Sequence, residues 1–207
     1  MTAELTQDEK QLLLRLARQG LEAAVQHHLP PPLAPAEHTP GLDRLGCSFV
    51  TLTEMGELRG CIGGLVADQP LWRDVQQRAG QAALNDYRFI PVQADELSVI
   101  DIEVSVLTPP VPLAYDSPDD LLRKLRPGVD GVVLRQGPHR ATFLPQVWQT
   151  VPEPARFLSM LCEKLGVGHN DWRRGHLQVE TYQVEEFSEP AYRRGHGLDQ
   201  PAARSES

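Results

Sequence analysis

The chain has 207 residues, 41% hydrophobic and 23% charged, a composition typical of a soluble globular protein and unlike a disordered or fibrous one. Its formal net charge of -8 disfavours sequence-independent binding to nucleic acid or anionic lipid, which both rely on clustered Lys and Arg. Cys47, Cys61 and Cys162 are widely spaced with no Cys-x-x-Cys pair, which argues against a disulfide framework or zinc knuckle and for thiols in a reducing compartment.

Met1 to Leu5 lack the positive region and apolar core of a signal peptide, and no later run reaches the roughly 20 apolar residues of a membrane span, so a cytoplasmic protein is expected. Thr6 and Glu9 make a capping box, and Leu13, Leu16, Ala17, Gly20 and Ala24 recur at helical spacing, which predicts an amphipathic helix over 7–27. Five prolines from Pro30 to Pro40 predict an extended surface crossing. Cys47 to Thr53 and Leu58 to Leu65 are β-prone runs separated by Glu54-Met55-Gly56-Glu57, which predicts a hairpin. Asp68 and Pro70 announce a helix ending near Asn85. Ile100 to Leu107 alternates strictly and should bury Ile100, Ile102, Val104 and Val106 while Asp101, Glu103 and Ser105 point the other way. Ser117-Pro118-Asp119-Asp120 opens a short helix that Pro127-Gly128 stops. A second hairpin spans Gly131 to Leu144, a helix runs from Pro154 to Leu165 before Gly166, and one last strand is expected over Leu177 to Phe187. Hairpins interspersed with helices indicate an α+β fold with a mixed, largely antiparallel sheet, residues 1–190 forming one unit, two intertwined subdomains being allowed, and 191–207 a frayed tail.

Chemistry concentrates in Leu58-Arg59-Gly60-Cys61-Ile62-Gly63. On a regular strand Leu58 and Ile62 share one face and Arg59 and Cys61 the other, and a fixed positive charge beside a thiol favours the thiolate. Gly60, Gly63 and Gly64 inside a strand mark a bulge or a place where a backbone or ligand comes close. Glu103, Asp86 and Arg88 are charged groups that can position a polar ligand, and a solvated strand face and a loop ion pair explain them equally well. No histidine is close to Cys61 in sequence; His139, His169 and His176 lie on loops from which a base could fold back. Metal-ligand spacings, a P-loop and a complete dinucleotide fingerprint are absent, so no metal and no cofactor is expected.

That hexapeptide resembles the motif of the AMMECR-type domain family, whose prokaryotic members are called protein A of the AmmeMemoRadiSam system. Gly46 to Leu52, Asn85 to Phe89, Asp101 to Leu107, Leu125 to Gly131 and Ala141 to Trp148 resemble further family segments in the same order, so the likeness covers about residues 8 to 188. It implies a compact α+β fold with a larger and a smaller subdomain, and association with a Memo-type protein and a radical S-adenosylmethionine (SAM) enzyme. It implies no particular reaction. Tyr87 departs from the family, whose members often carry proline there. Three readings of the motif follow: an enzyme with Cys61 as nucleophile or thiol acid/base, Arg59 holding it ionised or binding an anionic substrate, Glu103 or Asp86 placing a polar group and the glycines forming a substrate floor; a non-catalytic docking module for those partners; or a tight strand crossing that glycine makes possible.

Overall fold

A computed structural model describes residues 4–189 of the chain, and the expected tail, 191–207, lies outside the described residues. The chain divides into two compact units, one running up to Val106 and resuming at Glu186, the other spanning Leu107–Glu185.

In the first unit, helix α1 (Gln7–Val25) starts where expected, because the Glu9 amide donates to the Thr6 hydroxyl and the Thr6 amide to the Glu9 carboxylate. It stops at Val25, two residues before its expected end, where His27 takes a left-handed conformation (φ 58°). The proline-rich crossing contains more structure than expected. Thr39 caps a short helix α2 (Pro40–Asp43), with Pro40 at its first turn, and the Thr39 hydroxyl donates to Glu9 at 2.6 Å.

Short strands β1 (Leu45–Gly46) and β4 (Gln69–Pro70) pair around the hairpin of β2 (Ser48–Glu54) and β3 (Glu57–Gly63). The hairpin loop is only Met55 and Gly56, both with positive φ (51° and 87°). This is the backbone of a type I′ turn, which matches strand twist but strains a side chain at its first position. Replacing the exposed Met55 with Asn is therefore expected to stabilise the protein by about 0.5 kcal/mol, read as a higher urea midpoint at unchanged slope. A lower midpoint would refute the strain.

Helix α3 (Leu71–Leu84) begins with Pro70 at its cap position and no side-chain cap, while its first helical amide donates to the Arg44 carbonyl. Strand β5 (Ile100–Leu107) buries Ile100, Ile102, Val104 and Val106, as its alternation predicts. The main sheet runs β10-β5-β2-β3, antiparallel at β2–β3 and β2–β5, where β10 is Val184–Ser188. One face of that sheet carries Val50, Leu52, Ile102 and Val104 into a core closed by α1 and α3. The two helices cross closely, since a Cβ on Gly20 would sit 2.0 Å from the Gln76 carbonyl oxygen.

The second unit has a four-stranded sheet, β6 (Val111–Pro112), β9 (Gln178–Tyr182), β7 (Gly131–Gln136) and β8 (His139–Phe143), in the order β6-β9-β7-β8. Helices α4 (Pro118–Lys124), α5 (Val147–Thr150) and α6 (Pro154–Leu165) accompany it, with Trp148 stacked on Phe157 in the core at 3.7 Å. The single last strand that was expected is two. Gln183 leaves the β9 ladder to exchange hydrogen bonds with Thr108, its amide donating to the Thr108 hydroxyl and its carbonyl accepting from the Thr108 amide, and the chain continues as β10. The fold is α+β with antiparallel strand pairs.

Candidate functional site

Three neighbouring strands bring Cys61, Thr51 and Glu103 into one row. The register pairs Thr51 of β2 with Cys61 of β3 on one side and with Glu103 of β5 on the other. Alternation along β2 sends Val50 and Leu52 to the core, so this row lies on the opposite sheet face. The Thr51 hydroxyl donates to Cys61 Sγ at 3.4 Å, and the thiol is only partly buried. Glu103 stands two strand spacings, roughly 10 Å of backbone, from Cys61. Burial pushes its carboxyl above the ordinary carboxylate value.

β3 is the sheet's edge, and the segment after α3 satisfies it. The Cys61 amide donates to Asp86 Oδ2 at 2.8 Å, and Arg88 Nη2 reaches the Cys61 carbonyl at 3.5 Å. Asp86 is buried and accepts also from the Arg88 amide, Nε and Nη2. The Arg88 side chain, then the Cys61 and Arg88 amides, hold its carboxyl far below the usual range against the opposing effect of burial. These side chains take the place of a neighbouring strand at an edge that would otherwise be open.

Arg59 does different work from that expected. The register jumps from Leu52–Gly60 to Thr53–Leu58, which leaves Arg59 as the extra residue of a β-bulge. Its guanidinium grips Glu96 through Nε (2.6 Å) and Nη2 (3.0 Å) and the Ile90 carbonyl through Nη1 (2.9 Å). Arg59 thereby keeps the Glu96 carboxyl below its ordinary value. Its charge is matched by a carboxylate, so the cation that bears on the thiol is Arg88, whose own pKa is raised chiefly by Asp86 and in a smaller part by Cys61. The bulge also separates Leu58, exposed and opposite Thr53, from Ile62, which packs on the core opposite Val50.

With that geometry in place, comparison with known proteins is decisive: the model of the AMMECR1 family matches residues 14–187. The chain belongs to the AMMECR1 family. A protein of Methanothermobacter thermautotrophicus is 38% identical over 194 residues, covering 90% of this chain and 97% of that one. A protein of Thermofilum pendens is 36% identical over 202 residues, covering 89% and 92%. The crystal structure of the uncharacterized protein PH0010 from Pyrococcus horikoshii superposes with a TM-score of 0.77 at 31% identity, covering 86% of this chain and 89% of that one.

The glycines of this AMMECR1 chain's hexapeptide serve packing. A Cβ on Gly60 would lie 2.3 Å from the Ala82 carbonyl oxygen of α3, and one on Gly63 would lie 2.2 Å from the Phe49 ring. A Cβ on Gly64 would meet Arg78 Nη2 at 2.8 Å. The space beside all three is thus filled by the chain itself, so of the alternatives that glycine in a strand left open it is close packing of the chain that occupies these positions. Sequence reasoning also missed Asp74, fully buried, which accepts from the Ser48 amide (2.8 Å) and hydroxyl (2.7 Å), Gln69 Nε2 and Arg78 Nε. An acid in the first turn of a helix that lacks a side-chain cap was the available signal.

Cys47 and Cys162 are buried, and burial pushes the Cys162 thiol up. His139 is exposed at the start of β8 and His169 pairs with Glu163 at the surface. Among the described residues no three His, Cys, Asp or Glu side chains cluster as metal ligands, and no helix is long and apolar enough to cross a membrane.

Proposed function

We propose that this AMMECR1-family chain performs thiol chemistry at Cys61, with Glu103 as proton acceptor and Arg88 as the cation facing an anionic substrate group. The observation that carries the reading is the Cys61–Thr51–Glu103 row. The Thr51 hydroxyl donates to the sulfur that would react, and a carboxyl raised by its surroundings is a stronger base than a solvated one. In this reading the thiol proton passes through a bridging water to Glu103 as Sγ adds to an unsaturated electrophilic carbon, whose π-electron pair moves onto its own oxygen. Arg88, half-exposed with two of its nitrogens on Asp86, has its remaining nitrogen free for substrate. The site works in the reducing cytoplasm and, by family association, beside a Memo-type protein and a radical SAM enzyme.

The test is the rate and pH profile of alkylation at Cys61, with buried Cys47 and Cys162 as internal references. Thr51→Val should slow the reaction at neutral pH by about tenfold, the effect of losing one hydrogen bond to a charged group. Glu103→Gln should remove one inflection of the profile, and Arg59→Ala should act only through stability. A Cys61 that reacts no faster than the two buried thiols, or whose profile ignores Glu103→Gln, defeats the thiol reading.

A second reading is favoured by a separate observation. Met55, Leu58, Tyr87 and Ile90 are exposed apolar side chains on the β2–β3 hairpin and on the segment fastened to its edge, with Tyr87 at 94%. Exposed apolar side chains of this kind suit the docking of a partner protein. If docking is the function, Tyr87→Ser with Ile90→Ser abolishes binding of the Memo-type partner and leaves Cys61 alkylation unchanged.

A further inference from the structure

A cavity of about 500 Å3 opens where α1 and α3 cross, on residues that the Cys61 site does not use. Its floor is Gly20, Ala24 and Gly80, small because the two backbones approach so closely there. Pro30 and Leu84 add apolar wall. The rim is polar, and its hydrogen-bond polarity can be fixed from both ends. Asp74, paired with Arg78, accepts from Gln69 Nε2, which also donates to Gln77 Oε1 at 2.8 Å. Gln77 therefore has its carbonyl engaged and its NH2 free. Arg78 Nη1 can only donate, and it donates to Gln81 Oε1 at 3.0 Å, so Gln81 too has its NH2 left over.

Arg73 stands on the same stripe of α3 as Gln77 and Gln81, exposed and with no ion-pair partner among the described residues. His28 lines the opposite side, placed by the left-handed turn at His27, and its amide donates to the Ala23 carbonyl. No Asp or Glu lines the cavity, although the chain has 28 of them. The result is a cleft that offers one unmatched guanidinium and the NH2 groups of Gln77 and Gln81, with no carboxylate in its lining; Gln69 and Gln76, whose NH2 groups are engaged, leave carbonyl oxygens over. Two planar carboxylate oxygens leave such a donor set partly unused, whereas the three oxygens of a phosphate monoester accept from several directions at once. The volume exceeds that of a bare anion and falls in the range of small-molecule sites, and the apolar wall gives an organic body a place to lie.

We propose that this cleft binds the phosphate group of a small phosphorylated metabolite, with Arg73 as its charge partner and the NH2 groups of Gln77 and Gln81 as donors. The proposal is independent of thiol chemistry at Cys61. It is tested by thermal unfolding of the full chain with glycerol 3-phosphate, phenyl phosphate, inorganic phosphate, citrate, or potassium chloride at matched ionic strength. At least one of the two monoesters should raise Tm by about 2 °C or more, well above phosphate, citrate and chloride. Arg73→Ala and Gln77→Leu alter exposed side chains, so each should keep the unliganded Tm and lose the rise. Broadening of the monoester phosphorus resonance by wild type, absent with either variant, is the second readout. No rise with either monoester, an equal rise with inorganic phosphate or citrate, or a rise that survives Arg73→Ala would each overturn the proposal.

Discussion

Asp74→Ala is expected to destabilise the protein by about 3–5 kcal/mol, among the largest effects of any single substitution in the first unit. The reason is that the carboxylate is fully buried and serves four donors at once: the Ser48 amide and hydroxyl, Gln69 Nε2 and Arg78 Nε. Removing it leaves the Ser48 amide and hydroxyl buried without an acceptor and strips Arg78 of its counter-charge. Urea unfolding gives the number. A loss below about 1 kcal/mol would show that the network contributes little net energy. Arg78→Leu added to Asp74→Ala should recover part of the loss, because it removes the unpaired cation; a strictly additive pair would argue that the two groups do not act together.

The same residue shows where reading the sequence succeeds and where it stops. Elements whose signals are local were legible: the capping box of Thr6 and Glu9, the alternation from Ile100 to Val106, the Ser117 cap and the Gly166 stop all appear where the pattern places them. What was missed depends on partners far along the chain. Asp74 reads as a surface acid of a helix start until Ser48 is seen beside it, 26 residues away. Gln183 breaks an apparently continuous strand only because Thr108 offers it an alternative partner.

The candidate site divides in the same way. The Arg59–Cys61 strand was legible as the place where chemistry concentrates, whereas Asp86, Arg88 and Glu103 were left open between a ligand-positioning role and a plain loop ion pair or strand face, and the Asp86–Arg88 ion pair is present. Which charge bears on the thiol was not legible: Gly60 marked a bulge as one of its readings, but nothing local said that Arg59 would be the extra residue or that Glu96 would take its guanidinium. Thr51, the only side chain hydrogen-bonded to Cys61 Sγ among the described contacts, was not singled out, since its role follows from strand register and not from spacing.

Asp86 joins the stability argument to the functional one. Asp86→Ala should cost about 3 kcal/mol, because it leaves the Cys61 amide without its acceptor and the Arg88 side chain without its partner. The sign of the accompanying pH effect follows from the depressed folded-state pKa. Above the unfolded value of 3.8 both states are ionised and the contribution is full; as pH falls below it, the unfolded chain takes up a proton that folded Asp86 refuses, and stability drops. Glu96, lowered by Arg59 from 4.5, adds to the same acid limb. Asp86→Asn keeps the shape and removes the titration, so stability measured against pH should decline less steeply below about pH 4 in this variant than in wild type. Amide exchange at Cys61 separates the two roles: faster exchange in Asp86→Ala with the core amides of β2 unchanged means that the Asp86 segment alone closes the β3 edge and sets access to the thiol. Uniform acceleration across the sheet would mean instead that Asp86 acts on global stability, and the edge would lose its claim to control Cys61.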